Sequence, residues 1–523
     1  MSAEYDVVVV GGGSNSLSAA AYLAKAGLSV CVLEKNDVIG GGVVCRELTA
    51  PGFKHEPHAT GFILVMANPL LRNDELGLMS KYGLRFFTPE KTIASIYDDD
   101  SWMCVSPSLE QTCKTIAQLS ERDANAYREF AGRVIEMAPF LQSALFRPPA
   151  SNEELAAALK ASPLGQEFLR GMGRSCAEIL DELFENEKVK IHFMKWMGIF
   201  LVHPFRPGTG LMLYAATAVA HTQEESGVYG GAQAFSDALG ACITDHGGEI
   251  RTGTYVRRVL VSGGVATGVE LADGERVSAA KAVIGCIHPH RLGDMVEGLD
   301  ADLVEEARGC ELSNHSGILT HWALHESPRY RCPEVDDALL VQAVPSRVAD
   351  MRQIFDDVRA GKRPHKLAAI MSQMAQWDPS RAPAGKHTLY FWTFGPRILE
   401  GGGWTPQARD EARDWMIDEF RNYTTNMGPD NIIAGIAESP VEQEEWSPSF
   451  ASGDFMGIGM VAHQFMGSRP TPRLAQYAVP GADHLYLSGP FMHPGGAVTG
   501  GGRATAIKIM DDLGIDSSTW VET

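Results

Sequence analysis

A short buried strand that runs into a glycine cluster and then a small-residue helix constrains this chain more than any other feature. Val7–Val10 is an unbroken β-branched run, too short for a helix and suited to a strand covered on both faces. It enters Gly11-Gly12-Gly13-Ser14-Asn15-Ser16, and Leu17–Ala26 follows with helix-favouring residues before Gly27 stops it. Ser29–Leu33 reads as a second strand, ending on Glu34. In this strand–turn–helix–strand order, a glycine-rich turn holds the pyrophosphate of a dinucleotide. Gly11 makes the tight turn, and Gly13 lets backbone approach the phosphates. Ser14, Asn15 and Ser16 open a helix whose dipole favours an anion. Glu34 stands 23 positions after Gly11, placed to accept hydrogen bonds from a ribose. Ser16 replaces the third glycine of the pattern, which predicts a slightly looser turn and a retained site.

The residues after Glu34 discriminate between dinucleotides. Lys35 leads through a short polar stretch into Gly40-Gly41-Gly42-Val43. A glycine cluster here resembles the flavoprotein pattern, in which backbone passes close to the pyrophosphate and ribityl chain, and a plain NAD enzyme does not need it. FAD is the expected cofactor, with Lys35, Gly41, Gly42 and Val43 among its contacts.

Two further segments extend the same site. Ser226–His288 contains Gly230-Gly231, a helix over Ala232–His246, a strand through Ile250–Thr252 and a hairpin of Val256–Val261 with Ala266–Leu271. Near the end, Leu485–Leu487 is a strand, Ser488-Gly489 its turn, and His493-Pro494-Gly495-Gly496-Ala497-Val498 leads into a helix that stops at Gly514. Gly489, Gly496 and Val498 are expected against the flavin. Backbone donors at that helix start would stabilise the negative charge that builds up on flavin reduction.

Taken together, the chain resembles the phytoene desaturase-related flavoproteins, which group with the amine oxidases in a wider superfamily. The matching pieces are GGGSNSL…LEKNDVIGGG, PGFKHEPHATG, the VRRVLV…GVELADGE segment, SRPTPRL and LYLSGPFMHPGGAVTGGGRATA. The resemblance implies an FAD-dependent oxidoreductase of the dehydrogenase or desaturase type. It also implies a backbone contact from Val256 to the adenine, and flavin-edge contacts from His58 and Gly61 of the HEPHATG segment. It departs from the family at Ser16 and at Gly453-Asp454-Phe455-Met456-Gly457, which lacks the histidine that many relatives place just afterwards.

The expected fold class is α/β: a Rossmann-like FAD-binding domain, a mixed-sheet substrate domain and a helical lid. The FAD-binding domain is discontinuous, built from 1–70, 225–290 and 480–523. Residues 71–224 form the lid and substrate region, with helices over Leu109–Leu119, Arg122–Phe146 and Asn152–Ala161 and another from Gln166. Residues 291–479 form the substrate-binding domain. No second fingerprint of this kind recurs, so an NAD(P)H domain is not expected. The 523 residues, 45% of them hydrophobic, suffice for two or three interleaved lobes.

A net charge of −20 argues against nucleic acid as a partner. Nine cysteines without a CxxC spacing give neither a zinc site nor a disulfide framework, so no metal is expected and a reducing cytoplasm is the simplest home. No apolar run reaches the roughly 20 residues that span a bilayer. Met194–Phe205 comes nearest and reads first as a substrate-channel or dimer helix, with peripheral membrane contact as the alternative.

Chemistry at such a site moves hydride to the flavin and a proton to a base, and histidine suits the second task. His493, beside the flavin-side glycines, and His463, in VAHQFMGSRP, are the two candidates for catalysis. Arg206 is a candidate clamp for a substrate carboxylate, against a structural ion pair. Six of the nine tryptophans fall in 291–480, an aromatic wall or ordinary core. A small apolar substrate, terpenoid or alicyclic, is the first reading. The alternatives are an amine oxidised to an imine, and a redox-neutral isomerisation. Oxygen, a quinone or a protein is the terminal electron acceptor.

Overall fold

Two seven-stranded sheets organise the molecule, described here from a computed structural model over residues 4–224, 226–516 and 518. The outermost ends of the expected FAD-binding segments and residue 225 lie outside the described residues.

The first sheet runs Val256–Ser262, Val265–Leu271, Arg276–Gly285, Glu4–Val10, Val30–Leu33 and Glu249–Arg251, with Leu485–Leu487 paired to Arg276–Gly285. Its centre is parallel: Val7 lies opposite both Ala282 and Val30. Val7, Val8 and Val9 have no solvent exposure, which is what a strand covered by helices on both sides requires. Strands from the two ends and the middle of the chain therefore share one sheet.

The helix Ser14–Lys25 is buried from Ser14 to Ala24. Its alanines and serines let two neighbours approach closely, the helix Gln233–Asp245 and the last helix, Gly502–Leu513. Gly502 marks the tightest point, because a Cβ there would stand 1.7 Å from the Asn15 carbonyl oxygen.

The second sheet runs Ile432–Glu438, Ser316–Leu324, His387–Gly395, Ala369–Ser372, Leu340–Val344, Ile93–Tyr97 and Trp102–Val105. It is mixed, with Leu340–Val344 parallel to Ile93–Tyr97 and the other neighbours antiparallel. The last two strands come from the stretch expected to form the lid, so that stretch is not purely helical. Its helices otherwise follow the sequence closely, at Leu109–Ala117, Glu121–Ile135, Ala138–Leu145, Asn152–Lys160 and Pro163–Met172. The single helix expected over Arg122–Phe146 breaks before Ala138, where Pro139 removes a backbone donor.

Buried ionic groups tie these parts together. Arg503 on the last helix donates to both carboxylate oxygens of Glu75 at 2.7 and 2.8 Å and to the Phe146 carbonyl at 2.9 Å. Arg469 of SRPTPRL is wholly buried and donates only to carbonyls, among them Met456 and Pro490 at 2.9 Å. It thereby stitches the Gly-Asp loop to the loop carrying His493.

Candidate active site

The dinucleotide turn closes as a helix start should. Leu17 N–H donates to the Gly13 carbonyl at 2.8 Å, so Ser16 brings no loosening of the first turn. Gly11 adopts φ +88°, a conformation that L side chains rarely take. Gly13 has an ordinary φ of −71°, and a Cβ there would meet nothing within 4 Å. Its glycine is demanded by the space in front of it, not by the backbone. Gly41, at φ +62°, lies against it, and a Cβ added to Gly41 would stand 3.0 Å from Gly13 Cα. No side chain caps the helix start, which leaves its positive end facing that space. This cradle fits the pyrophosphate of FAD.

Glu34 is buried, and its carboxylate accepts from the amides of Gly12 at 2.7 Å and Asn36 at 2.8 Å. A carboxylate has lone pairs left for a ribose after two such bonds. Lys35 donates to the Glu445 carbonyl at 2.6 Å and marks the outer end of the site. Val256 follows Thr254, whose amide donates to the Glu34 carbonyl at 2.7 Å, so the hairpin is attached to this same end.

From the cradle a cavity opens towards the second sheet. Gly13, Ser14, Asn15, Ser16, Gly41, Gly42, Val43, His58, Gly61, Gly489 and Val498 all line it, drawing the two chain ends and the HEPHATG segment onto one surface. Gly11, Glu34, Lys35 and Val256 do not line it. Gly496 does not either: a Cβ there would stand 2.4 Å from Met456 Cα, so packing against the Gly-Asp loop demands this glycine. Ala497, beside it, lines the cavity with φ +64°, a strained conformation for a residue with a side chain.

Neither histidine expected to act in catalysis reaches the cavity lining. His493 is buried, shares a hydrogen bond of 3.0 Å with the Ala144 carbonyl through Nε2, and braces the lid instead. Burial pushes its pKa down to about 4. His463 is exposed at the surface beside Glu311. Arg206 makes the structural ion pair, also with Glu311, and its partner Nη2–Oε2 distance is 3.0 Å.

The opposite wall is foreshadowed in part by the sequence, since Trp196, Ile199 and Phe200 belong to the Met194–Phe205 run and Trp392 to the tryptophans of 291–480, whereas Leu340, Ile370 and Tyr390 carried no signal. The strands contribute Leu340, Ile370, Tyr390 and Trp392, while Trp196, Ile199 and Phe200 descend from the helix Glu187–Gly198 and its end. Of the six tryptophans between 291 and 480, Trp392 alone is in this wall. Strand register places the sheet residues: Leu340 is opposite Ser372, Ile370 opposite Trp392, and Ser372 opposite Tyr390. Alternation along each strand would have paired these side chains, but nothing in the sequence says which strands are neighbours.

The cavity lining contains no Asp, Glu, Lys or Arg. Its titratable side chains are His58, Cys286 and Tyr390. Burial lowers His58 to about 3 and raises both the Cys286 thiol and the Tyr390 phenol. All three are therefore neutral near pH 7. Among the described residues, no group of His, Cys, Asp and Glu is arranged to hold a metal.

The sequence profile of flavin-containing amine oxidoreductases matches residues 17–311, more than half of the chain. The chain belongs to this family. Similarity to other proteins runs nearly end to end. The chain is 28% identical to mouse pyridine nucleotide-disulfide oxidoreductase domain-containing protein 2, over 98% of its own length and 94% of the relative's. It is 26% identical to a limonene dehydrogenase subunit of Castellaniella defragrans, over 98% and 95%. It is also 26% identical to hydroxyneurosporene desaturase of Cereibacter sphaeroides, over 97% and 98%. Cyclohexylamine oxidase from Brevibacterium oxydans shares the fold, with a TM-score of 0.59 at 17% identity over 98% of this chain and 99% of that one. As a member of the flavin-containing amine oxidoreductases, this protein is an FAD-dependent oxidoreductase. Among the described residues, no helix is long and apolar enough to cross a membrane.

Proposed function

We propose that this protein is an FAD-dependent dehydrogenase or desaturase acting on an apolar substrate, terpenoid or alicyclic, and forming a C=C bond. The observation that carries the reading is the wall opposite the glycine cradle, apolar and without a charged side chain. Such a wall binds hydrocarbon surface at about 25 cal/mol per Å² removed from water. A protonated amine would enter it without a carboxylate to pair with, at a high desolvation cost. The relatives named for limonene dehydrogenase and hydroxyneurosporene desaturase support the same reading.

Bound FAD supplies the hydride acceptor. The protein holds the substrate between the cradle and the Trp196–Trp392 wall and excludes water, which leaves few groups to take the departing proton. Cys286 and Tyr390 are protonated, which leaves His58 as the one titratable side chain of the lining with an open lone pair, and burial makes it a weak base by opposing its protonation. One observation favours amine oxidation as the second reading. Tyr390 and Trp392 are two positions apart on one strand and both line the cavity, and aromatic faces attract a cation.

Anaerobic addition of alicyclic and terpenoid compounds, and separately of alicyclic amines, to the FAD-loaded protein tests the choice. The flavin's visible absorbance bleaches with the first class if the reading holds. Bleaching by amines alone would replace it with the second.

A further inference from the structure

The Tyr390 hydroxyl stands apart in an otherwise apolar wall. Its strand neighbours Leu389 and Phe391 are completely buried, whereas Tyr390 is only half-buried and lines the cavity. Around it on the same sheet face are Leu340, Ile370 and Trp392. The hydroxyl makes no hydrogen bond among the described residues, and burial, with the charges of Glu438 and Glu56, holds its pKa above the ordinary value.

Beside Tyr390 on the same sheet face is an acceptor that it does not use. His321 is its direct cross-strand partner, with ring centroids 5.8 Å apart, and neither ring nitrogen of this wholly buried histidine has a partner. Glu438 Oε2 is also buried without a partner. A phenol turned to its cross-strand partner would have satisfied one nitrogen of His321. The hydroxyl is instead left available on the cavity side.

An O–H in such surroundings donates only to something brought in by a ligand, and in a low-dielectric site the bond discriminates strongly. A site built to hydrogen-bond a substrate rejects an analogue that lacks the group, because its own polar atom is left unpaired. The acceptor must be uncharged, since the lining carries no cation to pair with an anion. A carbonyl or hydroxyl oxygen meets these conditions.

We propose that Tyr390 is a specificity-determining residue that donates a hydrogen bond to a neutral oxygen, carbonyl or hydroxyl, on an otherwise apolar alicyclic or terpenoid substrate. The inference rests on the dehydrogenase reading above and narrows its substrate class from hydrocarbons to oxygenated compounds.

The test measures binding of menthone, menthol and p-menthane to the FAD-loaded protein and to its Tyr390→Phe variant, through perturbation of the flavin's visible spectrum. These three probes share a carbon skeleton and differ in the oxygen. Tyr390→Phe keeps the ring, and retained FAD with an unchanged melting temperature confirms its fold. In the variant, menthone or menthol binding is expected to weaken by about five- to tenfold, the worth of one hydrogen bond, with p-menthane unchanged. Equal changes for all three probes, or no change for any, would overturn the assignment of Tyr390 while leaving the dehydrogenase reading intact. Failure of all three to bind while cyclohexylamine binds would overturn the reading and the inference together.

Discussion

Asn15 and Gly501, separated by 486 positions in sequence, are joined by a buried hydrogen bond of 2.9 Å from the Gly501 amide to the Asn15 side-chain oxygen. Asn15 sits in the first turn of the dinucleotide helix, and Gly501 immediately precedes the last helix. Asn68 adds a second clamp by donating to the Thr499 carbonyl at 2.8 Å. The starts of the two helices that frame the cofactor cradle are thus held together by side chains of the N-terminal segment.

Replacing Asn15 with Leu leaves the Gly501 amide buried and unpaired. The expected cost is about 1–3 kcal/mol of stability, together with weaker FAD retention, because the two helix starts are no longer tied. Urea unfolding and FAD titration of the apoprotein read the two effects separately. Unchanged values in both would show that the bond contributes nothing.

Gly13 and Gly502 are expected to fail in opposite ways. A Cβ at position 13 meets no protein atom within 4 Å and the backbone there is allowed, so Gly13→Leu should fold with near-normal stability and yet retain no FAD. Gly502→Ala drives a methyl group into the Asn15 carbonyl, so it should lose several degrees in melting temperature. A Gly13→Leu protein that keeps its full flavin absorbance would sink the cradle.

Arg503 and Glu75 are a buried pair, each almost without solvent exposure. Arg503→Met leaves the carboxylate buried without its cation, which costs about 3–5 kcal/mol. Adding Glu75→Gln to that variant should recover part of the loss. A double variant no better than the single one would mean that packing, not charge, holds the last helix.

Acid should destabilise the protein below pH 6.5. His493 has its pKa lowered from 6.5 to about 4 by burial, so the folded state binds fewer protons than the unfolded one in that window. Its contribution is complete above pH 6.5 and is lost as pH falls towards 4, at roughly 1 kcal/mol per pH unit for this group. His58, His192 and His315, each lowered to about 3, act in the same direction. In His493→Asn, the fall in unfolding free energy between pH 6.5 and 5 should be shallower. Identical slopes would mean that this ring is not buried neutral.

The cofactor half of the site was legible because its chemistry is local. A pyrophosphate cradle needs a strand, a glycine turn and a helix within a few residues, and the spacing of Gly11, Gly13 and Glu34 records that need directly. The substrate half has no such spacing. His493 lay beside the right glycines in sequence and His463 ahead of the strand that leads to them, yet the fold carries His493 away under the lid and leaves His463 at the surface. Proximity along a loop says little about side-chain direction.

By itself, the sequence determined the cofactor class, the two nucleotide-binding strands, most of the lid helices and the limits of the last helix, because each depends on short-range geometry and residue propensity. Tertiary structure alone decided which strands stand side by side, and hence that Leu340, Ile370, Tyr390 and Trp392 meet on one face across from the cradle. It also decided that Gly496 serves packing and that Ala497 bears the strain at the cavity. The physical reason is that a strand's alternation fixes only two faces. Its neighbours are set by burial summed over the whole chain, which no local window contains.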